Sequence, residues 1–371
     1  MKYFIYKFKR EVNRIKQQVK ALIEFFYEPF LRWHYDKHRI NKLTVLDGEI
    51  SSNINKIAIF LIFQPNGIAP SIIHTCKHFV SQGYLPLVVS NSALLSVDLD
   101  NLKRTSWKVL IRPNFGYDFG GYRDGIWLLN TLNISPEFLI IINDSIWFPI
   151  FEDDQTINKM ENAPADFVGA LQVDQSRSVK NRRFKPPFMG SFFWLLKEPA
   201  LSNPAFHAFW SQYKITSNKY KTIRQGERFF SKVMNDNQIQ SHAMFSRAML
   251  DQLILRMTTS ELFDVLKSLC AVDDGLIFKQ KHCIHSFRDD SNWKTDAINL
   301  IFDLTDKQNI LASAPIVAIQ HFGVSYIKKS GDYSNLIAMA KIYEKILYNE
   351  PKNVNYLIID ELKNKLESIK S

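Results

Sequence analysis

Short apolar runs alternate with helical stretches between residues 56 and 144, and this alternation limits the folds open to the chain. Two segments have helical patterns, one over residues 70–82 and one that ends near residue 130. Four runs have the length and composition of buried strands: KIAIFLIF (56–63), LPLVVSN (85–91), WKVLIRP (107–113) and FLIIIND (138–144). Strands that alternate with helices form βαβ units. The sequence therefore predicts an α/β fold with a mostly parallel sheet flanked by helices.

The remaining chain extends this domain and then becomes largely helical. We predict strands at 166–172 and 190–197, a basic polar loop at 173–189, helices at 199–213 and 226–236, and a possible strand at 315–320. This pattern divides the chain into a basic amphipathic helical segment (1–45), an α/β domain (55–290) and a mainly helical extension (291–371).

Most of the positive charge lies near the N-terminus. Residues 1–42 hold eleven Lys/Arg and four Asp/Glu, so they carry +7 of the net charge of +10. Their apolar residues recur every three to four positions, and a basic amphipathic helix suits an anionic membrane surface. The alternative is a helix packed on its own domain or in a coiled-coil dimer. Because the rest of the chain is nearly neutral, we expect no nucleic-acid partner.

The chain has the features of a cytoplasmic protein. No apolar run reaches the roughly 18 residues of a membrane helix, and Lys7, Lys9 and Arg10 interrupt any signal-peptide core. Its three cysteines form no CxxC motif, as expected of free thiols in a reducing compartment. We therefore predict a cytoplasmic protein that lies peripherally on the inner face of the membrane.

The third predicted strand runs into the turn RPNFGYDFGGYRDGIWLL, residues 112–129. In open α/β sheets ligands bind beyond the carboxyl ends of the strands. Arg112 and Arg123 have guanidinium groups suited to phosphate, and Asp118 can accept hydrogen bonds from a ribose or a base. Asn114 and Gly116 shape the turn. The alternative is a structural turn in which Asp118 caps the helix. The glycine spacing fits neither the dinucleotide fingerprint nor a P-loop.

The fourth predicted strand ends in Asn143-Asp144-Ser145. Oxygen ligands of this kind suit Mg²⁺ or a sugar hydroxyl, and Mg²⁺ often bridges protein to phosphate. The alternative is an Asx-turn that closes the strand. If both turns are functional, they form one site at two adjacent strand ends.

These two blocks, followed by GSFFWLLK and QGERFFSKVM, resemble the rhamnan synthesis F family of bacterial glycosyltransferases, over roughly residues 55–290. That family makes cell-wall and lipopolysaccharide glycans and is similar to GT-A glycosyltransferases. The resemblance implies a nucleotide-sugar donor, plausibly of rhamnose or another deoxysugar, and a lipid-linked or growing glycan acceptor. It makes Arg112, Asn114, Gly116, Asp118, Arg123, Asn143 and Ser145 candidate donor-binding residues.

The resemblance also implies a metal, because GT-A enzymes bind Mg²⁺ or Mn²⁺ through a strand-end Asp-x-Asp. This chain has Asn143-Asp144-Ser145 instead, so Asp144 takes the metal or donor role and metal dependence stays open. His285 is a second candidate metal ligand.

Glu227, in the sequence RQGERFF, is the candidate general base for the acceptor hydroxyl. The sequence predicts that it lies at a helix start, where the helix dipole would keep it ionised. The alternative is a first-turn Glu that only stabilises the helix. Two other functions stay open, a nucleotidyltransferase and a non-catalytic module that binds glycan or nucleotide within an assembly complex.

Overall fold

The computed structural model describes residues 26–51, 54–174, 186–348 and 351–368. Within these ranges an eight-stranded mixed sheet forms the centre, in the spatial order β1-β4-β3-β2-β5-β10-β7-β11. The strands are β1 (Thr44–Asp47), β2 (Lys56–Ile62), β3 (Leu85–Ser90), β4 (Lys108–Ile111), β5 (Phe138–Asn143), β6 (Ile146–Trp147), β7 (Phe167–Gly169), β8 (Gln172–Val173), β9 (Phe188–Met189), β10 (Phe193–Lys197), β11 (Ser241–Ala243) and β12 (Ile327–Lys328).

Parallel pairing at the centre of the sheet follows from the βαβ connections. β4, β3, β2 and β5 are parallel neighbours, and β10 lies antiparallel between β5 and β7. β2 alternates between two apolar cores, with Phe60 and Ile62 on one face and Ile59 and Leu61 on the other. A strand that is buried on both faces has a continuous run of apolar residues. This is why β2 could be predicted from the sequence.

Helices cover both faces of the sheet and make up most of the chain after β11, so the predicted α/β class and the largely helical C-terminal part are confirmed. We call the helical residues 26–37 α1. The others are α2 (Arg39–Lys42), α3 (Pro70–Ser81), α4 (Ser96–Thr105), α5 (Tyr117–Thr131), α6 (Thr156–Glu161), α7 (Glu198–Leu201), α8 (Pro204–Gln212), α9 (Lys219–Thr222), α10 (Phe229–Asp236), α11 (Arg247–Arg256), α12 (Thr259–Ser268), α13 (Asp274–His285), α14 (Ser291–Lys307), α15 (Ile310–Ser313), α16 (Pro315–Phe322), α17 (Tyr333–Leu347) and α18 (Tyr356–Glu367).

The predicted strand at 315–320 is wrong, because these residues form α16. A short apolar run does not distinguish a buried strand from a buried helix. Pro315 stands in the first helical turn, where its missing N–H costs nothing. The helix packs among other helices and buries the residues from Pro315 to Ile319.

The part of α1 that the structure describes packs on the sheet domain. Tyr35 and Glu28 are both 3% exposed. Glu28 accepts hydrogen bonds from Thr216 and from Ser217 N–H, and forms an ion pair with Lys221 at 3.0 Å. These contacts match the expected alternative of a helix packed on its own domain. The basic amphipathic pattern of residues 1–25 lies outside the described residues. Over the described ranges no helix is long and apolar enough to cross a membrane.

The C-terminal helices bring one short strand back to the sheet edge. β12 pairs antiparallel with β6, which directly follows β5. Glu361 on α18 fastens this arrangement, since its carboxylate accepts hydrogen bonds from Ser71 N–H at 2.7 Å and from Trp147 Nε1 at 2.7 Å. Residues beyond 290 therefore reach the edge where β2 and β5 end.

Candidate active site

Asp144 lies at the carboxyl end of β5 and connects it to the end of β2. Its Oδ2 accepts a hydrogen bond from Phe63 N–H at 2.8 Å and one from Gln64 Nε2 at 2.7 Å. The carboxyl ends of parallel strands share one edge of a sheet, which explains why residues 80 positions apart meet here. The Asp144 side chain is partly buried at this edge.

Asn143 connects the same strand end to α5. Its Nδ2 donates a hydrogen bond to Asp118 Oδ2 at 2.9 Å, and its Oδ1 accepts one from Ser145 Oγ at 2.6 Å. The two predicted turns therefore meet, but the prediction that their strands are adjacent is wrong, because β3 and β2 lie between β4 and β5. The bond from Ser145 N–H to Asn143 Oδ1 is also the Asx-turn that we considered as an alternative.

The start of α5 is shaped by glycines. Gly116, the residue before the helix, has a φ of +91°, a left-handed conformation that suits glycine, and a Cβ there would meet Ile215. A Cβ on Gly121 would come within 2.3 Å of Leu61 on β2. The missing side chain lets the helix lie close to the sheet, and Asp118 in its first turn reaches the strand ends.

Glu227 lies inside a helical run, and the prediction that it stands at a helix start is wrong. The run begins with α9 at Lys219, passes through a π-helix over Ile223–Arg228 and continues into α10. The helix dipole at an N-terminus therefore does not act on Glu227. Its Oε1 accepts a hydrogen bond from Ser191 Oγ instead. A π-helix is rare and is frequently found at functional sites.

A close contact seats the π-helix against α5. A Cβ on Gly226 would lie 2.8 Å from the ring of Phe119, which follows Asp118 in the chain. This packing holds Glu227 and Asp118 near each other. The negative charge of Glu227 therefore helps to raise the pKa of Asp118.

Three carboxyl groups of the site hold their protons more tightly than usual. Burial, followed by the negative charges of Glu227 and Asp144, raises the pKa of Asp118 to about 6. Burial also raises the pKa of Glu227, although the Ser191 hydrogen bond opposes the shift. The pKa of Asp144 is raised by burial too. Grouped carboxyls with raised pKa values in a cleft are typical of functional sites.

Lys328 on β12 is a site residue that the sequence analysis missed. Its Nζ lies 3.4 Å from Ser145 Oγ and 3.3 Å from the centroid of the Phe192 ring. Burial lowers its pKa to about 7, while the charges of Glu227 and Asp118 oppose that shift. Lys328 lies 183 residues from Ser145 in the chain. Its only local signal, a lysine pair after an apolar strand, is too common to identify a site.

Arg112 points away from the strand-end site into a buried cluster. Its Nε bonds Asp124 Oδ2 at 2.7 Å, Nη1 bonds Asn91 Oδ1 at 2.5 Å and Nη2 bonds the Phe115 carbonyl at 2.6 Å. The side chains of Arg112 and Asp124 are fully buried. Arg112 therefore holds the turn with all three guanidinium nitrogens engaged.

Arg123 also faces the N-terminal helix. Its Nη2 pairs with Asp36 Oδ1 at 2.6 Å, and its Nη1 lies 3.3 Å from the Tyr213 carbonyl. Neither arginine is brought to the three carboxyls, although both were predicted to bind the donor. Asn114 is exposed in the turn, and its side chain has no recorded hydrogen bond to other described residues.

His285 does not join the site either. It ends α13, where its Nδ1 lies 2.7 Å from the Lys281 carbonyl. Across the residues that the structure describes, no group of three or more His, Cys, Asp or Glu side chains is placed to hold a metal ion. At the strand end, Asp144 Oδ2 already accepts two hydrogen bonds, and Asp118 Oδ2 accepts one from Asn143. The donor set therefore does not fit a divalent cation.

The fold and the site together define an α/β protein with a carboxyl-rich site beyond the ends of parallel strands. Residues 87–349 match the family model of rhamnan synthesis protein F. The chain belongs to this family, which is of glycosyltransferase type.

Two individual proteins are similar to the chain. An uncharacterized protein, y4gN, of Sinorhizobium fredii (strain NBRC 101917 / NGR234) is 28% identical over 326 residues, which cover 87% of this chain and 83% of that protein. A solved glycosyltransferase involved in the glycosylation of the major capsid of PBCV-1 aligns with a TM-score of 0.27 and 10% identity, over 51% of this chain and 80% of that one.

Proposed function

We propose that the chain is a GT-A-like glycosyltransferase that moves a sugar from a nucleotide-diphosphate donor to a glycan acceptor. One observation carries this proposal: Asp118, Asp144 and Glu227 stand with Lys328 at the ends of parallel strands, and the pKa of each carboxyl is raised. Membership of the rhamnan synthesis protein F family supports the same activity.

In the proposed reaction, Glu227 is the general base. The bond between the anomeric carbon of the sugar and the diphosphate oxygen breaks, and the nucleoside diphosphate leaves with the electron pair. The acceptor hydroxyl oxygen forms the new bond to the anomeric carbon while its proton passes to the Glu227 carboxylate. A raised pKa brings a carboxylate base closer to the pH at which it works. Ser191 orients the base through its hydrogen bond.

Asp118 and Asp144 are assigned to the donor sugar and ribose. Both are acceptors when ionised, and hydroxyl groups supply the matching donors. Asn143 and Ser145 fix Asp118 through the hydrogen bonds described above. No step runs through a metal, because the strand-end donor set does not fit one.

The acceptor is proposed to approach from the π-helix side. A cavity of about 390 Å³ lies there, lined by Phe209, Gln212, Tyr213, Lys214, Arg224, Gln225 and Phe229. It joins apolar rings to two cations, a combination that suits a glycan carried on a lipid phosphate. The exposed aromatics of α1, with Phe30 63% and Trp33 54% exposed, support an approach to the inner membrane surface. Rhamnose or another deoxysugar as the donor rests on the family alone.

Thermal unfolding across a panel of nucleotide-sugars tests the proposal, followed by product analysis with those that stabilise the chain. A ligand that binds only the native state raises its stability by mass action. We expect one nucleotide-sugar to raise the Tm and to release nucleoside diphosphate when a glycan acceptor is added. Release of pyrophosphate would favour a nucleotidyltransferase. Stabilisation without turnover on any acceptor would favour a binding module.

A further inference from the structure

The donor of the proposed reaction carries a negatively charged diphosphate into a site that already holds three carboxyl groups. Some positive charge has to offset this repulsion. A divalent cation is the usual solution, but the described residues bring no group of three or more His, Cys, Asp or Glu side chains together to hold one, and Asp144 Oδ2 is engaged by Phe63 and Gln64. The two arginines of the turn are paired with carboxylates elsewhere.

We propose that the Lys328 ammonium group binds the donor diphosphate and takes the place of a divalent cation, so that sugar transfer is independent of metal. This inference rests on the proposed function and names the residue that neutralises the leaving group. Lys328 lies beside Ser145, at the end of the strand that carries Asp144.

The surroundings of Lys328 leave its charge available for a ligand. Its recorded hydrogen bond, to Ser145 Oγ, is long at 3.4 Å, and within the described ranges no recorded ion pair joins it to a carboxylate. The face of the Phe192 ring covers one side of the ammonium group at 3.3 Å. A partly buried cation with so few partners gains strongly from a diphosphate oxygen, because charge-assisted hydrogen bonds are the strong ones.

Lys329, the next residue, has a different environment. Its Nζ lies 3.1 Å from Ser71 Oγ and 4.0 Å from Glu361 Oε2, so it belongs to the contacts that fasten α18. Because these contacts hold the edge beside β12, Lys329 is not a neutral control. Lys307 serves instead, since its side chain is 55% exposed at the end of α14 and its replacement removes the same charge outside the site.

The position of Lys328 also explains a role for the C-terminal helices. β12 reaches the site only because it pairs with β6 and because α18 fastens the edge beside it. The α/β domain supplies the carboxyl groups, and the C-terminal part supplies the cation. A donor site divided in this way is complete only when the whole chain is folded.

Binding of UDP, GDP, CDP and dTDP to the full chain, measured by titration calorimetry in EDTA and again with Mg²⁺ or Mn²⁺, tests the inference. The variants are Lys328→Met, Lys328→Arg and Lys307→Met. We expect at least one nucleotide to bind in EDTA with an affinity that the cations leave nearly unchanged. Lys328→Met should weaken that binding by about 10- to 100-fold, Lys328→Arg should retain most of it, and Lys307→Met should bind like the wild type.

Two results would overturn the inference while leaving the proposed function intact: binding that needs Mg²⁺ or Mn²⁺, or full affinity in a folded Lys328→Met variant. Nucleotide binding in EDTA by the wild type and by Lys328→Arg keeps the test meaningful if Lys328→Met fails to fold. If none of the four nucleotides binds under either condition, the proposed function fails, and the inference fails with it.

Discussion

Two polar clusters flank the first turns of α5, and they differ in how their charges are matched. The anchoring cluster contains Arg112, Arg123, Asp124, Tyr35 and Asp36. In it each arginine has a carboxylate partner within 2.7 Å. The strand-end cluster contains Asp118, Asp144, Glu227 and Lys328. There the structure records no ion pair between the lysine and a carboxylate, and the lysine's nearest recorded hydrogen-bond partner is a serine.

The comparison separates a structural use of charge from a functional one. Paired and hydrogen-bonded charges in the anchoring cluster hold α1 against the sheet domain, and removing one partner would leave an uncompensated buried charge. In the strand-end cluster, burial raises the pKa values of the carboxyls and lowers the pKa of Lys328, and no ion pair joins the lysine to a carboxylate among the described residues. A ligand with hydroxyl groups and a diphosphate would satisfy both.

Glu227→Gln gives the largest expected effect, on the strand-end side of the comparison. Loss of a general base typically lowers kcat by 10²- to 10⁴-fold, and we expect about 10³-fold here. The glutamine keeps the acceptor oxygen for Ser191, so the Tm should not fall. Steady-state release of nucleoside diphosphate measures the effect, and Glu198→Gln, an exposed residue of α7, is the control. A folded Glu227→Gln variant with wild-type kcat would remove Glu227 from the mechanism.

Arg112→Met tests the anchoring cluster. It leaves Asp124 buried with only Tyr35 and a long contact to Arg39, at 3.5 Å, so the free energy of unfolding should fall by about 3 kcal/mol. The midpoint of urea unfolding measures this change. The double variant Arg112→Met/Asp124→Asn should recover part of the loss, since it removes the orphaned charge. Unchanged stability together with weaker nucleotide binding would return Arg112 to the donor site, where the sequence placed it.

The sequence predicted the sheet and the meeting of its strand ends because both follow from local pattern. Continuous apolar runs identified β2 and β5, and parallel pairing then brought Asp118, Asn143 and Asp144 to one edge. The roles of these residues stay predictions.

The remaining features depend on residues far apart in the chain. The turn motif suggested phosphate ligands at Arg112 and Arg123. Arg123 instead pairs with Asp36 of α1, 87 positions away, and Arg112 pairs with Asp124 of α5 and lies 3.2 Å from the Tyr35 hydroxyl, 77 positions away. Lys328 reaches the site because β12 pairs with β6, although many helices separate these two strands in the chain. The sequence prediction started this helix at residue 226, whereas the helical run begins with α9 at Lys219, so Glu227 was wrongly placed at a helix start. The local composition also does not distinguish a π-helix from an α-helix.

Asp118→Asn tests whether the negative charge of Asp118 in the strand-end cluster lowers the free energy of unfolding. The folded chain raises the pKa of Asp118 from 3.8 to about 6. The folded state therefore binds this proton more tightly than the unfolded state, and stability is lost as the pH rises from 3.8 to about 6, above which the loss is complete. We expect Asp118→Asn to be more stable than the wild type by on the order of 3 kcal/mol at pH 8 and by about half as much at pH 5.

The measurement is urea unfolding of both chains at the two pH values. Asp100→Asn is the matched control, since Asp100 is exposed on α4 and its replacement should shift neither value. A stabilisation equal at pH 5 and pH 8 would show that Asp118 ionises as freely in the folded chain as in the unfolded one, and would weaken the contrast between the clusters.

Tyr35→Phe should give the smallest effect. It tests how much the Tyr35 hydrogen bond contributes to the stability of the anchoring cluster. The Tyr35 hydroxyl donates to Asp124 Oδ2 at 2.5 Å and lies 3.2 Å from Arg112 Nη2. Because Arg112 still neutralises Asp124, losing the hydroxyl should cost about 1–2 kcal/mol, seen as a lower Tm. Tyr27→Phe on the exposed part of the same helix is the control. If α1 docks independently of this hydrogen bond, both variants will melt together, and the anchoring cluster will reduce to its arginine–carboxylate pairs.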